Sequence, residues 1–441
     1  MNVVASQPVL PGMRHEPRDL EAGLAIVGTG IAGFAAAVFA ANRGLSTAIA
    51  GNTGALAYTT GYLDLLGRLE GRGIDDPWRA LEALREAQPA HPLARVDAAE
   101  IRHGFVEFSE FLGAQGIGYG APGDANVKAL TPAGTLKRTL CVPATMAAGP
   151  RALAARTPCV IVDFERLKGF SAHEVVANLG SRWPALAARR IAFPDLTRGE
   201  VYPEVMARAL EVPATREKLA ALLREAAGAA GVVGLPAILG MHRPDDVHAE
   251  LQHLSGLEIF EIPTMPPSVP GVRLRECMEQ VLPQRGVTLI PQRKVTALEL
   301  ADDRATLLLT DAFGPIRIHA EAVILASGRF LSGGLLAQPD GIREHLLDLP
   351  VTQPPSRDGW YREHYTDPRG HPVQQAGIEV DARFRPLGRD GRAHHPRLFA
   401  AGVILAHQDW IRSRSGAGIA IATAWRAVAE AARVVTRTTA A

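Results

Sequence analysis

Gly28-x-Gly30-x-x-Gly33 follows a short apolar run from Leu24 and opens an Ala-rich helical pattern. A strand, a tight turn and a helix start in that order form a cradle for the phosphates of a nucleotide or dinucleotide. Gly28 allows the turn, Gly30 lets the backbone approach a pyrophosphate, and Gly33 lets the helix pack closely on the strand. Ile31 and Ala32 sit at the helix start, where unpaired N–H groups and the helix dipole favour an anion.

Those residues need elements to position them. Leu24–Gly28 reads as a first strand, Ile31–Arg43 as a crossover helix and Ser46–Ala50 as a second strand. Many such sites place an acid after the second strand to hold a ribose. Here Asn52 stands in that region, a weaker ribose partner, so the adenosine half of a dinucleotide has less support than the phosphate. Ala55–Gly67 reads as a hydroxyl-rich turn, with Thr59, Thr60 and Gly61, entering an apolar helix. Trp78–Gln88 and Ala98–Gln115 are helical patterns.

From about Pro158, strands alternate with helices: Cys159–Phe164, a helix near His173–Asn178, a strand near Arg190–Phe193, helix Glu217–Ala230, strand Gly231–Leu235, a helix near Asp245–Leu254 and strand Leu257–Ile262. That rhythm predicts an inserted α/β unit over residues 85–263. The proline-rich Pro263–Gly271 is a hinge out of it. Beyond it come a helix over Val272–Leu282, a strand over Val287–Leu289, a meander (Lys294–Leu300, Ala305–Leu309, Ile316–His319) and a buried strand, Glu321–Ala326. The division is thus a disordered extension (1–21), a cofactor domain in two pieces (22–84 and 264–441), and an inserted α/β cap (85–263).

With 47 basic and 46 acidic residues the net charge is +1, so no global field favours nucleic acid or a strongly basic membrane surface. Cys141, Cys159 and Cys277 are far apart, which excludes a four-thiolate cluster or zinc site in this chain and fits a reducing compartment. Leu24–Ala41 is apolar enough to resemble a membrane span. The three glycines at cradle spacing and the charged Arg43 after them argue for a buried crossover instead. Met1–Glu21 lacks the apolar stretch of a secretory signal.

Two later glycine turns complete a pattern. Ala326-Ser327-Gly328 ends a buried strand, and Gly402 ends the strand from Leu398. Ser413-Arg-Ser-Gly-Ala-Gly418 then opens an apolar helix to about Val435, with Ser413 or Ser415 as its cap. Cradle, insertion, meander and these turns in this order are the plan of a Rossmann-like, two-domain α/β flavoprotein. The last helix, through Ser415, Gly416, Ala417 and Gly418, would point its N-terminus at the edge of the flavin ring and stabilise charge that builds on reduction.

The chain resembles one family in particular, the B subunit of anaerobic glycerol-3-phosphate dehydrogenase. The resembling segments are Thr60-Gly-Tyr-Leu-Asp-Leu-Leu66, Ala90-His-Pro92, Leu130-Thr-Pro-x-Gly-Thr-Leu136, Gly169-Phe-x-Ala-His173, Pro263-Thr-Met-Pro-Pro-Ser-Val-Pro-Gly-Val-Arg-Leu274, Ala326-Ser-Gly-Arg-Phe-Leu-Ser-Gly-Gly334, Gly341-Ile-Arg-Glu344 and Leu398-Phe-Ala-Ala-Gly402. They span residues 22–435. The resemblance implies a noncovalent flavin, FMN with FAD as the alternative. It also implies a complex with an FAD-bearing catalytic subunit, joined by an iron–sulfur subunit that anchors the assembly to the membrane. Electrons from sn-glycerol 3-phosphate would pass to the quinone pool, leaving dihydroxyacetone phosphate, at the cytoplasmic face of the inner membrane. The turn Arg412–Gly418 departs from the Gly/Cys-rich turn of enterobacterial-type members.

Alcohol oxidation at a flavin requires a C–H bond near the ring, a base for the hydroxyl proton and cations for a phosphate. Arg273, Arg343, Arg412 and Arg414 are the cations to test, Arg273 because it follows the hinge. His407, His364 and His173 are the candidate bases, since histidine titrates near neutrality. Thr59, Thr60 and Ser332 can donate to the ring; capping a turn is the competing role. His394-His395 reads as loop, with no metal site. Two alternatives of other classes stand beside this reading: a non-catalytic scaffold subunit with the same fold, and a stand-alone flavin dehydrogenase of another small acid.

Overall fold

Strand β1 (Arg18–Thr29) carries Leu24–Val27 buried on both faces, which is why that stretch is continuously apolar rather than alternating. The computed structural model describes residues 16–53, 55–196, 198–367 and 369–435. Residues 18–21, expected within a disordered extension, are instead the start of β1, where Asp19 pairs with Arg317 at 2.7 Å. Residues 1–15 of that extension lie outside the described residues.

Helix α1 (Ile31–Asn42) leads to β2 (Thr47–Thr53). Next come α2 (Ala98–Gly113) and a hairpin, β3 (Val127–Leu130) with β4 (Leu136–Thr139). Strands β5 (Cys159–Phe164), β6 (Leu186–Ile191), β7 (Val232–Pro236) and β8 (Glu258–Ile262) alternate with helices. Helix α3 (Val269–Gln284) then returns the chain to β9 (Val287–Pro291), β10 (Ala297–Leu300), β11 (Ala305–Asp311) and β12 (Gly314–Leu325). Strand β13 (Leu398–Ala400), the single turn α4 (Trp410–Ser413) and α5 (Gly416–Ala431) complete the described elements used below.

The main sheet runs β9-β2-β1-β12-β11-β10, with β13 also on β12. Strands β9, β2, β1, β12 and β13 pair in parallel, whereas β10 and β11 form an antiparallel meander. The cap sheet, β8-β7-β5-β6, is wholly parallel. Its two faces feed separate cores: Val160, Val162 and Phe164 face one cluster, Cys159 and Ile161 the other. This is the α/β architecture with an inserted cap that the sequence leads one to expect.

Three local expectations differ. Helix α2, expected in the insertion, packs against α1 and α5: Phe108 meets Phe39 edge-on at 6.5 Å, and Phe105 is fully buried in the main core. Its Gly104 lies against Trp425, where a Cβ would stand 3.2 Å from that side chain. Ile316–His319 and Glu321–Ala326 are not two strands; β12 is continuous. The segment from Ala55 forms only a short 3-10 turn, Ala55–Tyr58, and no helix, because Leu63 pairs with Cys141 in an extended bridge. Among the described residues no helix is long and apolar enough to cross a membrane.

Candidate functional site

At the carboxyl ends of β1, β2 and β12 lies a cavity of about 530 Å³. Gly28 turns with φ +118°, and a Cβ there would stand 2.2 Å from the Ala326 carbonyl oxygen. The cradle and the Ala326–Gly328 turn are therefore held against one another, with Ala326 N donating to Val27 O at 2.9 Å. Gly33 packs α1 on the strand: its Cβ would meet Gly28 O at 1.8 Å. Gly30 differs, since a Cβ there meets no protein atom within 4 Å. It faces open cavity, as a backbone that admits a phosphate must. The N-terminus of α1 has no side-chain cap, so its first N–H groups are available to an anion.

A flavin fits this lining. Ser327 belongs to it, and its Oγ is buried without a hydrogen-bond partner among the described residues. Helix α5 opens onto the same cavity through Gly416 and Ala417. Ser415 is its cap residue, but the Ser415 hydroxyl pairs with Ser413 Oγ at 2.7 Å and caps nothing. Ala417 lines the cavity, while Gly418 N donates to Asp64 O at 2.6 Å.

A family profile described as FAD binding domain matches residues 23–419. The B subunit of anaerobic glycerol-3-phosphate dehydrogenase from Vibrio cholerae serotype O1 is 31% identical over 422 residues, covering 92% of this chain and 95% of its own. The protein of that name from Yersinia pseudotuberculosis serotype I is 31% identical over 410 residues, 90% and 95% of the two chains. The chain belongs to the family of anaerobic glycerol-3-phosphate dehydrogenase B subunits. It is accordingly a flavin-dependent oxidoreductase, and the family name denotes one subunit of several. A solved 3-ketosteroid dehydrogenase from Sterolibacterium denitrificans aligns over 94% of this chain and 100% of its own at 12% identity, with a TM-score of 0.43.

Of the cofactor residues singled out in the sequence, Gly28, Gly30, Ile31, Ala32, Asn52, Thr59, Thr60, Ala326, Ser327, Gly328, Gly416 and Ala417 line the cavity. Five others do not. Gly33 and Gly418 serve close packing; a Cβ at Gly418 would stand 2.7 Å from Leu65 O. Gly61 O accepts from Tyr119 at 2.7 Å, Gly402 N donates to Thr423 Oγ1 at 2.8 Å, and Ser415 is fully buried. Thr59 also caps its own turn, accepting from Gly61 N at 3.3 Å.

Of the seven candidate cations and bases, only Arg414 lines this cavity; the other six lie elsewhere. Arg273, expected to hold a phosphate, is buried and grips Glu261 through two bonds of 2.7 and 2.8 Å, with Nε on Gly240 O. Glu261 also accepts from Thr145 Oγ1 and Leu239 N. Burial pushes the Glu261 carboxyl up, but the Arg273 charge and these bonds outweigh it and hold it below the usual carboxylate value. Arg343 is surface-exposed and pairs with Asp340 at 2.7 Å. His407 lines a second cavity behind α4 and bonds Glu379 at 3.0 Å. His364 and His173 are exposed. Arg412 also belongs to the second cavity, whereas Arg414 and Ser332 line the first.

The lining includes groups that spacing alone did not single out: Tyr62, Asp64, Lys137, Lys294 and Trp410. Lys137 Nζ meets Asp64 Oδ2 at 2.6 Å. Burial pushes the Asp64 carboxyl above its ordinary value, although Lys137 pulls against that. Burial beside Asp64 likewise raises Tyr62, which stays protonated and donates to Leu130 O at 2.6 Å. Arg329 joins the turns: its guanidinium donates to Val403 O at 2.6 Å and to Gln408 O at 3.0 Å, and burial lowers it to about 10. The three cysteines are free and buried, with Cys141 and Cys159 pushed up to about 12, so they behave as inert core residues.

Proposed function

We propose that this chain is the flavin-bearing subunit of a quinone-linked sn-glycerol-3-phosphate dehydrogenase, oxidising glycerol 3-phosphate to dihydroxyacetone phosphate. The observation that carries this reading is the meeting of separate glycine turns around one cavity with cationic side chains in its wall, in a chain whose relatives bear that dehydrogenase's name. The start of α1 with Gly30, Ile31 and Ala32 would hold the flavin phosphate, and Ser327, Thr59 and Thr60 would be the hydroxyl donors to the ring system. The start of α5, at Gly416 and Ala417, stabilises charge at the ring edge. The flavin supplies a two-electron acceptor beside the bound alcohol.

FMN is the flavin that the resemblance implies. FAD is the second reading, favoured by the family profile and by a lining that continues past the cradle to Asn52 and Lys294. The electrons leave through two companions, one FAD-bearing and the other an iron–sulfur, membrane-anchoring subunit. These hold the chain peripherally at the cytoplasmic face of the inner membrane. Heat release of the cofactor and its mass distinguish FMN from FAD. A purified chain that is colourless and takes up neither flavin refutes the redox reading and leaves a scaffold subunit. Turnover of another small acid faster than glycerol 3-phosphate favours a stand-alone dehydrogenase.

A further inference from the structure

Three chain segments meet beside the first turn of α5. Asp64 is fixed there because its backbone oxygen accepts from Gly418 N. Lys137 reaches in from β4 and bonds its carboxylate. Arg414, the residue after α4, sits with φ +50° and reaches the carbonyl of Leu136, next to Lys137, at 3.4 Å. All three line the cavity.

The charges do not balance within this group. Among the described residues no carboxylate lies within ion-pair distance of Arg414. Lys137 uses one of its three donors on Asp64, leaving two for a ligand. Arg68, and Arg138 although it pairs with Asp75, add to the positive field at Arg414. Asp64 is buried beside the Thr139 hydroxyl, and its Oδ1 makes no hydrogen bond among the described residues. A small anion therefore has two cations to meet, next to a carboxylate with an unmet bond.

We propose that Asp64, Lys137 and Arg414 form the subsite for a small phosphorylated alcohol, in which the two cations bind the phosphate and the carboxylate takes the hydroxyl proton. The inference rests on the flavin dehydrogenase reading above. As the alcohol becomes a carbonyl compound, its O–H proton passes to the Asp64 carboxylate. A bound flavin would be the two-electron oxidant that takes the carbon-bound hydrogen with its electron pair. Lys137 pulls Asp64 towards the ionised form that accepts the proton, while burial, which raises the carboxyl, makes the proton welcome when it arrives. The groups facing Asp64 are Lys137 and the Thr139 hydroxyl from β4, Arg414 from the turn before α5 and the protonated Tyr62 from its own segment, with Glu261 beyond Tyr62.

The test uses the flavin-loaded chain, with its partner subunits where turnover needs them. Dihydroxyacetone phosphate is titrated against the oxidised flavin, and the visible band reports binding without turnover. Lys137→Met and Arg414→Met are each expected to weaken this ligand at least tenfold and to leave unphosphorylated dihydroxyacetone unaffected. Asp64→Asn is expected to bind within threefold of wild type, to lose at least a hundredfold in turnover, and to lose the fall in kcat/KM towards acid; Asp64→Glu restores part of both. Lys137→Met strands a buried carboxylate, so the double variant Asp64→Asn/Lys137→Met and a retained flavin band control for folding. The proposal is overturned if Arg414→Met and the double variant bind dihydroxyacetone phosphate as wild type does, or if Asp64→Asn keeps the wild-type rate and pH profile. If wild type itself takes no flavin or leaves glycerol 3-phosphate unoxidised, the underlying reading fails instead.

Discussion

Replacing Arg273 by Met tests whether this residue is a structural tie or a phosphate ligand. The substitution removes two charge-assisted bonds to Glu261, of 2.7 and 2.8 Å, and one to Gly240 O. Glu261 keeps Thr145 and Leu239, but its charge stays buried without a counter-ion. Leaving one member of such a pair alone costs about 3–5 kcal/mol. At roughly 2–4 °C per kcal/mol for a cooperative unit of cap size, the melting temperature falls by roughly 10 °C. Thermal melts of the flavin-loaded protein measure this. The double variant Arg273→Met/Glu261→Gln removes the stranded charge and recovers at least half of the loss.

The same pair carries a pH signature. The folded Glu261 carboxyl lies below its ordinary value of 4.5, so its contribution is full above that pH and fades as pH falls through the folded value. Arg273→Met abolishes this acid-side loss. The reasoning is refuted if the double variant is no more stable than the single one. It is also refuted if Arg273→Met leaves the melt unchanged and raises only KM.

Gly28→Ala is expected to abolish flavin retention and lower stability, because the new Cβ meets Ala326 O at 2.2 Å; the flavin-to-protein absorbance ratio after purification reports it. Gly30→Ala meets no protein atom, so it is expected to lose flavin while the melt of the flavin-free protein is unchanged. Burial, with the charge of His407 second, lowers His91 from 6.5 to about 4. Its contribution is therefore complete above pH 6.5 and lost towards pH 4, by about 3 kcal/mol in all. Urea midpoints at pH 7 and pH 5 are expected to differ by less in His91→Asn. Arg343→Ala, which removes one exposed pair, is expected to change stability by less than about 0.5 kcal/mol and to leave turnover intact, read by melts and steady-state kinetics.

What the sequence made legible was local. The cradle, the Ala326–Gly328 turn and the opening of α5 are each written within a few consecutive residues, and their order along the chain carried the fold. What it hid was long-range. Asp64 and Lys137 come from distant segments, and nothing in the spacing joins them. Arg273 follows a hinge motif, yet its direction is set by Glu261 at the end of β8. Strand β12 looked like two strands because its burial changes from alternating near Ile316 to continuous from Ala322, as its second face becomes covered. Helix α2 looked like part of the insertion because chain order, not packing, suggested the boundary.

That unbroken β12 sets a rule for how relatives can differ in length. Along Ile316–Ala320 it is flanked on one side by Arg18–Ala22 and on the other by Ala305–Leu309, and it ends where Ala326 enters the cofactor wall. One residue gained or lost inside it would reverse inward and outward side chains against both neighbours at once and drag the wall with it. Within the β11–β12 hairpin, insertions and deletions are therefore expected at the tip around Asp311–Gly314, while the spine behind it keeps one fixed residue count.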